Sequence, residues 1–272
     1  MRRMTSFMCG AYRLVGTLDE GTSDVGLLIV SGGNEIRSGA FGSQSALAAH
    51  MANAGFSTFR YDRRGIGESE GQNEGFEASA EDIAAALAAF RQSAPQVKRV
   101  VAFGNCDAAT ALGLFHRGTP IDSLILANPW IIESTSMDTD QPAAPSATAI
   151  RARYWARLKN PRSLLDLLSG KIDLRKLADG LASAARKEPM SGLSVRLATS
   201  LAQTSVPTLL LIARRDTTAM AFMGAWHSAA FADARALAHI QVDQFDTASH
   251  GFADDASRRW LYDLIQESLQ RA

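Results

Sequence analysis

The stretch Gly104-Asn105-Cys106-Asp107-Ala108 follows the apolar run VKRVVAF (97–103) and leads into CDAATALGLFH (106–116), a helical pattern. A cysteine between small residues at a strand-to-helix turn is suited to nucleophilic attack, because bulky neighbours two residues away would collide on so sharp a turn. The turn sets the sulfur at a helix N-terminus, where the dipole favours thiolate over thiol. It also aims the backbone N–H of Asp107 at a developing oxyanion. The Asp107 carboxylate suits the first helical turn, yet its charge opposes ionisation of the adjacent thiol. Other parts of such a site stand elsewhere in the chain. SGGN (31–34) ends the first strong apolar run and offers a second oxyanion N–H from Gly33 or Asn34. Asp216 lies just beyond LLLIARR, where a carboxylate could orient an imidazole or cap the helix opening at TTAMAF, roles that are not exclusive. His250, in QFDTASHGF, sits on a late loop with small neighbours, whereas His50, His116 and His227 fall in helical patterns and His239 begins a strand. Asp246, four residues before His250, is the competing acid. Asp107 as nucleophile would place Asn105 at a position that wants a small residue, which disfavours that frame.

Elements at the right places must hold these residues. Strand patterns at 25–33, 56–62, 97–103, 122–128, 207–216 and 239–245 alternate with helical ones at 43–55, 79–94, 106–116 and 256–270. Such alternation predicts a mainly parallel, doubly wound α/β sheet covered on both faces. Ser79 with Asp82 three residues on has the capping-box spacing. From 129 to 205 the alternation breaks and helical patterns dominate, so the expected organisation is a core of 1–128 and 206–272 with a helical cap insertion at 129–205.

Composition narrows the partners. Lys plus Arg and Asp plus Glu each number 28, so zero net charge gives no general attraction to nucleic acid or anionic membrane. No stretch approaches the roughly 18 apolar residues of a membrane span. The N-terminal MRRMTSFMCGAYRLVG is a poor signal peptide. Cys9 and Cys106, the two cysteines, supply neither a disulfide framework nor metal-ligand spacing. A protein of the reducing cytoplasm, needing no metal or organic cofactor, is the expectation.

The order nucleophile, acid, histidine, with the acid after the penultimate strand, resembles the α/β-hydrolase fold. YDRRGIGESEG (61–71) looks like that superfamily's Asp-x-Arg-Gly-x-Gly-x-Ser loop, with Asp62, Arg64, Gly65 and Gly67 shaping it. SGGNEIRSGAFGSQSALA, GNCDAATAL, NPW and LLLIARRDTTAMAF together resemble the hydrolase 1 group associated with exosortase A systems. That resemblance implies a cysteine hydrolase near exopolysaccharide production. Asn34-Glu35-Ile36 departs from the group's Pro-Gln-Tyr-like segment.

The expected chemistry is attack by Cys106 on an ester, thioester or lactone, with His250 moving the proton and Asp216 orienting the ring. Losing one oxyanion donor in such a site costs about 3 kcal/mol. An acyltransferase would share the acyl-enzyme, and a non-catalytic binding protein could keep the fold. Dienelactone hydrolases work esters with a Cys-His-Asp set on this fold; by that likeness Glu35 would share the resting thiol's proton, the alternative being an exposed loop acid. Candidate substrate contacts are Arg37, Trp130, Tyr154 and Trp155. The last two lie among basic residues such as Arg151, Arg153 and Arg157, which form either a solvated helix face or a basic rim over an apolar tunnel for an anionic acyl compound.

Overall fold

The computed structural model describes residues 1–132 and 191–272. Tyr154, Trp155 and most of the expected 129–205 insertion lie outside the described residues. Eight strands form one sheet in the order β1-β2-β4-β3-β5-β6-β7-β8. They are β1 (Arg2–Cys9), β2 (Tyr12–Asp19), β3 (Val25–Val30), β4 (Ser57–Tyr61), β5 (Arg99–Asn105), β6 (Ser123–Ala127), β7 (Thr208–Ala213) and β8 (Ile240–Phe245). From β4 to β8 every pairing is parallel, while β1 with β2 and β2 with β4 are antiparallel. This is the doubly wound α/β sheet expected from the alternation.

Apolar runs on the central strands explain why both faces are buried. One face packs Phe59, Leu28 and Leu126 against Phe90, Leu112 and Phe222. The other packs Ile29, Phe103 and Leu211 against Met51, Leu261 and Ile265. Phe90 belongs to α2 (Ala80–Ser93), Met51 to α1 (Ser43–Asn53), Leu112 to α3 (Asp107–Phe115), and Ile265 to the closing helix Asp255–Arg271. The helix Gly192–Ala202, counted from sequence with the insertion, lies on α3: its Leu197 and Leu201 are buried in the core, and Ser200 Oγ donates to the Gly113 carbonyl at 2.7 Å.

Two local readings are corrected, and one element is added to those expected. The hairpin β1–β2 was not foreseen, although its signal is present: Thr5, Phe7 and Cys9 face inward in alternation, and Gly10 turns the chain at φ 58°. Phe7 completes the edge by packing on Phe59 and Tyr61 at ring-centroid distances of 5.9 and 6.2 Å. Strand β5 runs on to Asn105 because Asn105 still pairs with Ala127 of β6, so the strand ends one residue before the cysteine. The capping box is absent. Ser79 donates instead to the Phe76 carbonyl at 2.5 Å, since a 3-10 turn at Phe76–Ala78 leads straight into α2.

Asp82, freed from capping, takes the backbone N–H of Arg64 at 2.9 Å and its guanidinium at 2.8 Å. Arg64 also reaches Glu81, the Cys9 sulfur and the Tyr12 ring, tying α2 to the hairpin. Asp62, wholly buried, accepts from the Arg37 and Glu68 backbones at 2.6 and 3.1 Å, so the glycine-rich loop is held from within. Arg64→Ala would leave the Asp82 carboxylate buried without its cation. We expect it to cost about 3 kcal/mol, read as a lower midpoint in urea unfolding.

Candidate active site

Cys106 links β5 to α3 with φ 62° and ψ −127°, a conformation that L side chains rarely adopt. The surroundings impose it. Cys106 N donates to the Ala127 carbonyl at 2.9 Å, and the Cys106 carbonyl accepts from Trp130 N at 3.2 Å. Thr110 Oγ1 donates to the Trp130 carbonyl at 2.5 Å, closing the turn against the end of β6. Glycine is required at 104, because a Cβ there would lie 2.7 Å from the Ala108 carbonyl carbon and 2.9 Å from Ala109 N. These neighbours are backbone and cannot step aside.

His250 stands on the loop after β8. Its Nδ1 bonds Asp216 Oδ2 at 3.0 Å, and its side chain stands close enough to Cys106 for the sulfur to influence its protonation. Burial pulls the imidazole toward its neutral form. The bonds to Asp216 and Cys106, with their negative charge, outweigh that pull and raise the His250 pKa to about 10. Asp216 follows β7 and caps the helix Thr217–Trp226, its Oδ2 accepting from Ala219 N at 2.9 Å. One carboxylate thus starts a helix and orients an imidazole. Asp246 faces elsewhere and pairs with Arg215 at 3.2 Å.

Gly32 and Gly33 bring the loop after β3 beside the elbow. Gly33 N–H donates to the Asp107 carboxylate at 2.6 Å. A Cβ on Gly32 would meet that carboxylate at 2.6 Å and the Asn105 carbonyl at 2.7 Å, so only glycine admits this approach. Asn34 is exposed and accepts from Asn73 at 2.9 Å through Oδ1. Glu35 is exposed and accepts from Gln44 at 3.5 Å. Arg37 turns to Asp62, Glu68 and Thr17. Trp130 lies beside the elbow, its indole donating to the Ile132 carbonyl at 2.6 Å. Among the described residues, no group of three or more His, Cys, Asp and Glu could hold a metal ion, and no helix is long and apolar enough to cross a membrane.

The family described as serine aminopeptidase, S33, matches residues 24–256. The chain belongs to this family and is an α/β-hydrolase. In this S33 hydrolase the residue at the elbow is a cysteine. No curated protein matches the sequence. Among solved structures it is similar to an esterase of Pyrococcus furiosus, at 16% identity and TM-score 0.63, covering 100% of this chain and 91% of the other. Similarity extends to a proline iminopeptidase of Mycobacterium smegmatis, at 13% identity and TM-score 0.60, covering 99% and 98%. It also extends to Est1E of Butyrivibrio proteoclasticus with bound ferulic acid, at 13% and 0.59, covering 98% of each chain. These likenesses show a shared fold.

Sequence reasoning missed Asn128 in this hydrolase. It is fully buried, with φ 43°. Its Nδ2 donates to the His250 carbonyl at 2.9 Å and to Asn105 Oδ1 at 3.2 Å. Its Oδ1 accepts from Ala213 N at 2.8 Å. One side chain therefore ties the ends of β5 and β7 to the histidine loop. The only sequence signal was an asparagine-proline pair closing an apolar strand, which reads equally as a turn.

Asn128→Ala leaves the Ala213 N–H and the His250 carbonyl without these partners. We expect about 1–3 kcal/mol of lost stability, measured by thermal or urea unfolding, with slower alkylation of Cys106 as His250 loses its position. Folding also takes up a proton on His250 between its unfolded pKa of about 6.5 and about 10. That contribution is fully present below the lower value and is lost as pH rises through the upper one. Asn still caps a helix at 216. Melting temperatures of the wild type and Asp216→Asn should therefore differ most below about pH 6.5 and draw together toward about pH 10.

Proposed function

We propose that this α/β-hydrolase is a cysteine-dependent acyl hydrolase working through a covalent acyl-enzyme. The observation that carries the reading is one imidazole held by Asp216 through Nδ1 at 3.0 Å and standing near enough to the Cys106 sulfur at the elbow for that sulfur to raise its pKa. Cys106 sulfur attacks the carbonyl of an ester, thioester or lactone, and the thiol proton rests on His250. The tetrahedral oxyanion is met by the backbone N–H of Asp107, with Gly33 or Asn34 as the second donor. Collapse of this intermediate breaks the bond to the leaving group, which takes the proton from His250. Water, deprotonated by the same imidazole, then releases the acid and restores the thiol. Asp216 keeps the ring in the productive tautomer and balances its positive form.

Esterases among the structural relatives support ester-like substrates. We assign selection of the acyl group to the 129–205 insertion, with Trp130 at its border with the core. The resemblance to the exosortase-associated group supports work on a small acyl compound tied to exopolysaccharide production, in a reducing cytoplasm that keeps Cys106 a thiol. No step in this scheme calls on a metal or an organic cofactor.

The test is the thiol. Iodoacetamide labelling across the neutral range, mapped by mass spectrometry, should modify Cys106 well before Cys9, whose thiol is pushed up by burial and by Asp82. His250→Ala should slow Cys106 alone. Labelling of the two cysteines at equal rates, indifferent to His250, would remove the nucleophile from this reading. With selective labelling in hand, a panel of nitrophenyl esters and acyl thioesters should turn over in the wild type, and Cys106→Ala should abolish the turnover.

A further inference from the structure

The Asp107 side chain is not accounted for by the acyl-enzyme scheme. Its Oδ1 accepts the Gly33 N–H at 2.6 Å, which occupies a donor that the oxyanion would use. A carboxylate on that seat opposes an oxyanion twice, by holding its donor and by placing like charge beside it. Arg63 waits on the other side. Its side chain is 5% exposed, and its Nη2 stands 4.0 Å from Asp107 Oδ2, beyond a direct hydrogen bond. The same Nη2 donates to the Gly33 carbonyl, and Arg63 Nε is buried with no hydrogen-bond partner among the described residues. An unpaired donor in a buried guanidinium is costly, and a carboxylate is the group that satisfies it best. Among the described residues, nothing lies within 4 Å of where a side chain on Gly33 would begin.

We propose that the Asp107 carboxylate is a gate with two seats, one on the Gly33 N–H and one on Arg63. In the first seat it closes the oxyanion hole. A substrate carbonyl entering beside Cys106 displaces it onto Arg63, whose free Nε and nearby Nη2 receive it, and Gly33 N–H turns to the substrate oxygen. Arg63 is thereby a positioning residue, and Asp107 serves catalysis through its backbone while its side chain controls access. Discrimination follows: compounds that present a carbonyl oxygen in the right place open the hole, and those that do not leave it shut. This proposal rests on the cysteine-hydrolase reading.

Two reagents separate the hole from the nucleophile. Iodoacetamide alkylates sulfur by displacing iodide at carbon, with no oxyanion formed. A trifluoromethyl ketone takes sulfur at its carbonyl carbon; the S–C bond forms, the π pair moves to oxygen, and the thiol proton rests on His250. With ketone affinity divided by the alkylation rate of the same variant, so that any change in the thiol itself cancels, Asp107→Ala should favour the ketone on the order of tenfold over the wild type. Arg63→Gln removes the second seat and should weaken the ketone, on the same ratio, by a similar factor. The double variant should regain the ketone affinity of Asp107→Ala, because Arg63 has no gate left to hold. A purely structural role for Asp107 predicts the opposite, a loosened loop and weaker ketone binding in Asp107→Ala. That result, or additive losses in the double variant, overturns the gate. Weak binding from misfolding is distinguished by Asp107→Asn, which keeps an acceptor for Gly33 N–H without the charge; it should bind the ketone more tightly than the wild type if the gate is electrostatic, and equal or weaker binding in a variant with wild-type melting counts against it. Failure of the wild type to form a ketone adduct at Cys106 would instead overturn the nucleophile reading on which the gate stands.

Discussion

The backbone of Cys106 must turn from strand to helix through a left-handed conformation, and the rest of the site is arranged around that turn. A non-glycine residue held at φ 62° costs on the order of 1–3 kcal/mol, so it persists only where neighbours over-determine it. Here they do so from three directions. The Cys106 N–H is bonded to the end of β6, its carbonyl to Trp130, and its partner turn is latched by Thr110. Gly104 lets α3 approach to where any side chain would strike backbone. The strain sets the Cys106 sulfur at the rim of the sheet, above a fully buried core, at the end of β5.

Everything else at the rim arrives along separate strands. β3 delivers the Gly32-Gly33 loop, β7 delivers Asp216, and β8 delivers His250. These loops are short, and each is anchored by an interaction that also serves the fold. Asp216 caps a helix with the oxygen that holds His250. Phe252, buried at φ 52°, pins the histidine loop against Trp260 with ring centroids 5.6 Å apart. Asn128 joins three of these segments through one amide. Precision at the site is therefore a by-product of satisfying buried polar groups, which a close-packed interior demands in any case.

Charge is handled in the same economical manner. His250 stands beside Asp216 and the cysteine sulfur, and its raised pKa follows from both partners. Next in sequence, the Asp107 carboxylate has the Arg63 guanidinium 4.0 Å away. Among the described residues, Arg63 Nε has no partner and nothing crowds a side chain at Gly33, which leaves room for the proposed swing of the Asp107 carboxylate.

Much of this was legible before any coordinates. The alternation of apolar strands with amphipathic helices dictated a doubly wound sheet, since no other arrangement buries both faces of so many Val-, Leu- and Ile-rich runs. The elbow was readable because small residues at fixed spacing have a steric cause, and the candidates Cys106, Asp216 and His250 could be named from their places after strands. Other features could not be read along the chain. The edge hairpin was hidden by its arginines and methionines, which alternate only weakly in polarity. The Ser79–Asp82 spacing suggested a cap, but a preceding 3-10 turn and the distant Arg64 took both side chains, an outcome set by residues outside the local window. Asn128 looked like any turn asparagine, because its three partners are 23, 85 and 122 residues away. Likewise, nothing local told that the Asp107 carboxylate folds onto Gly33, 74 residues distant. Sequence alone determined which elements form and which residues stand at their ends, because periodicity and turn sterics act over a few residues. Only the tertiary structure decided which of those ends meet, because hydrogen bonds between loops depend on sheet order and strand length, which a linear pattern does not encode.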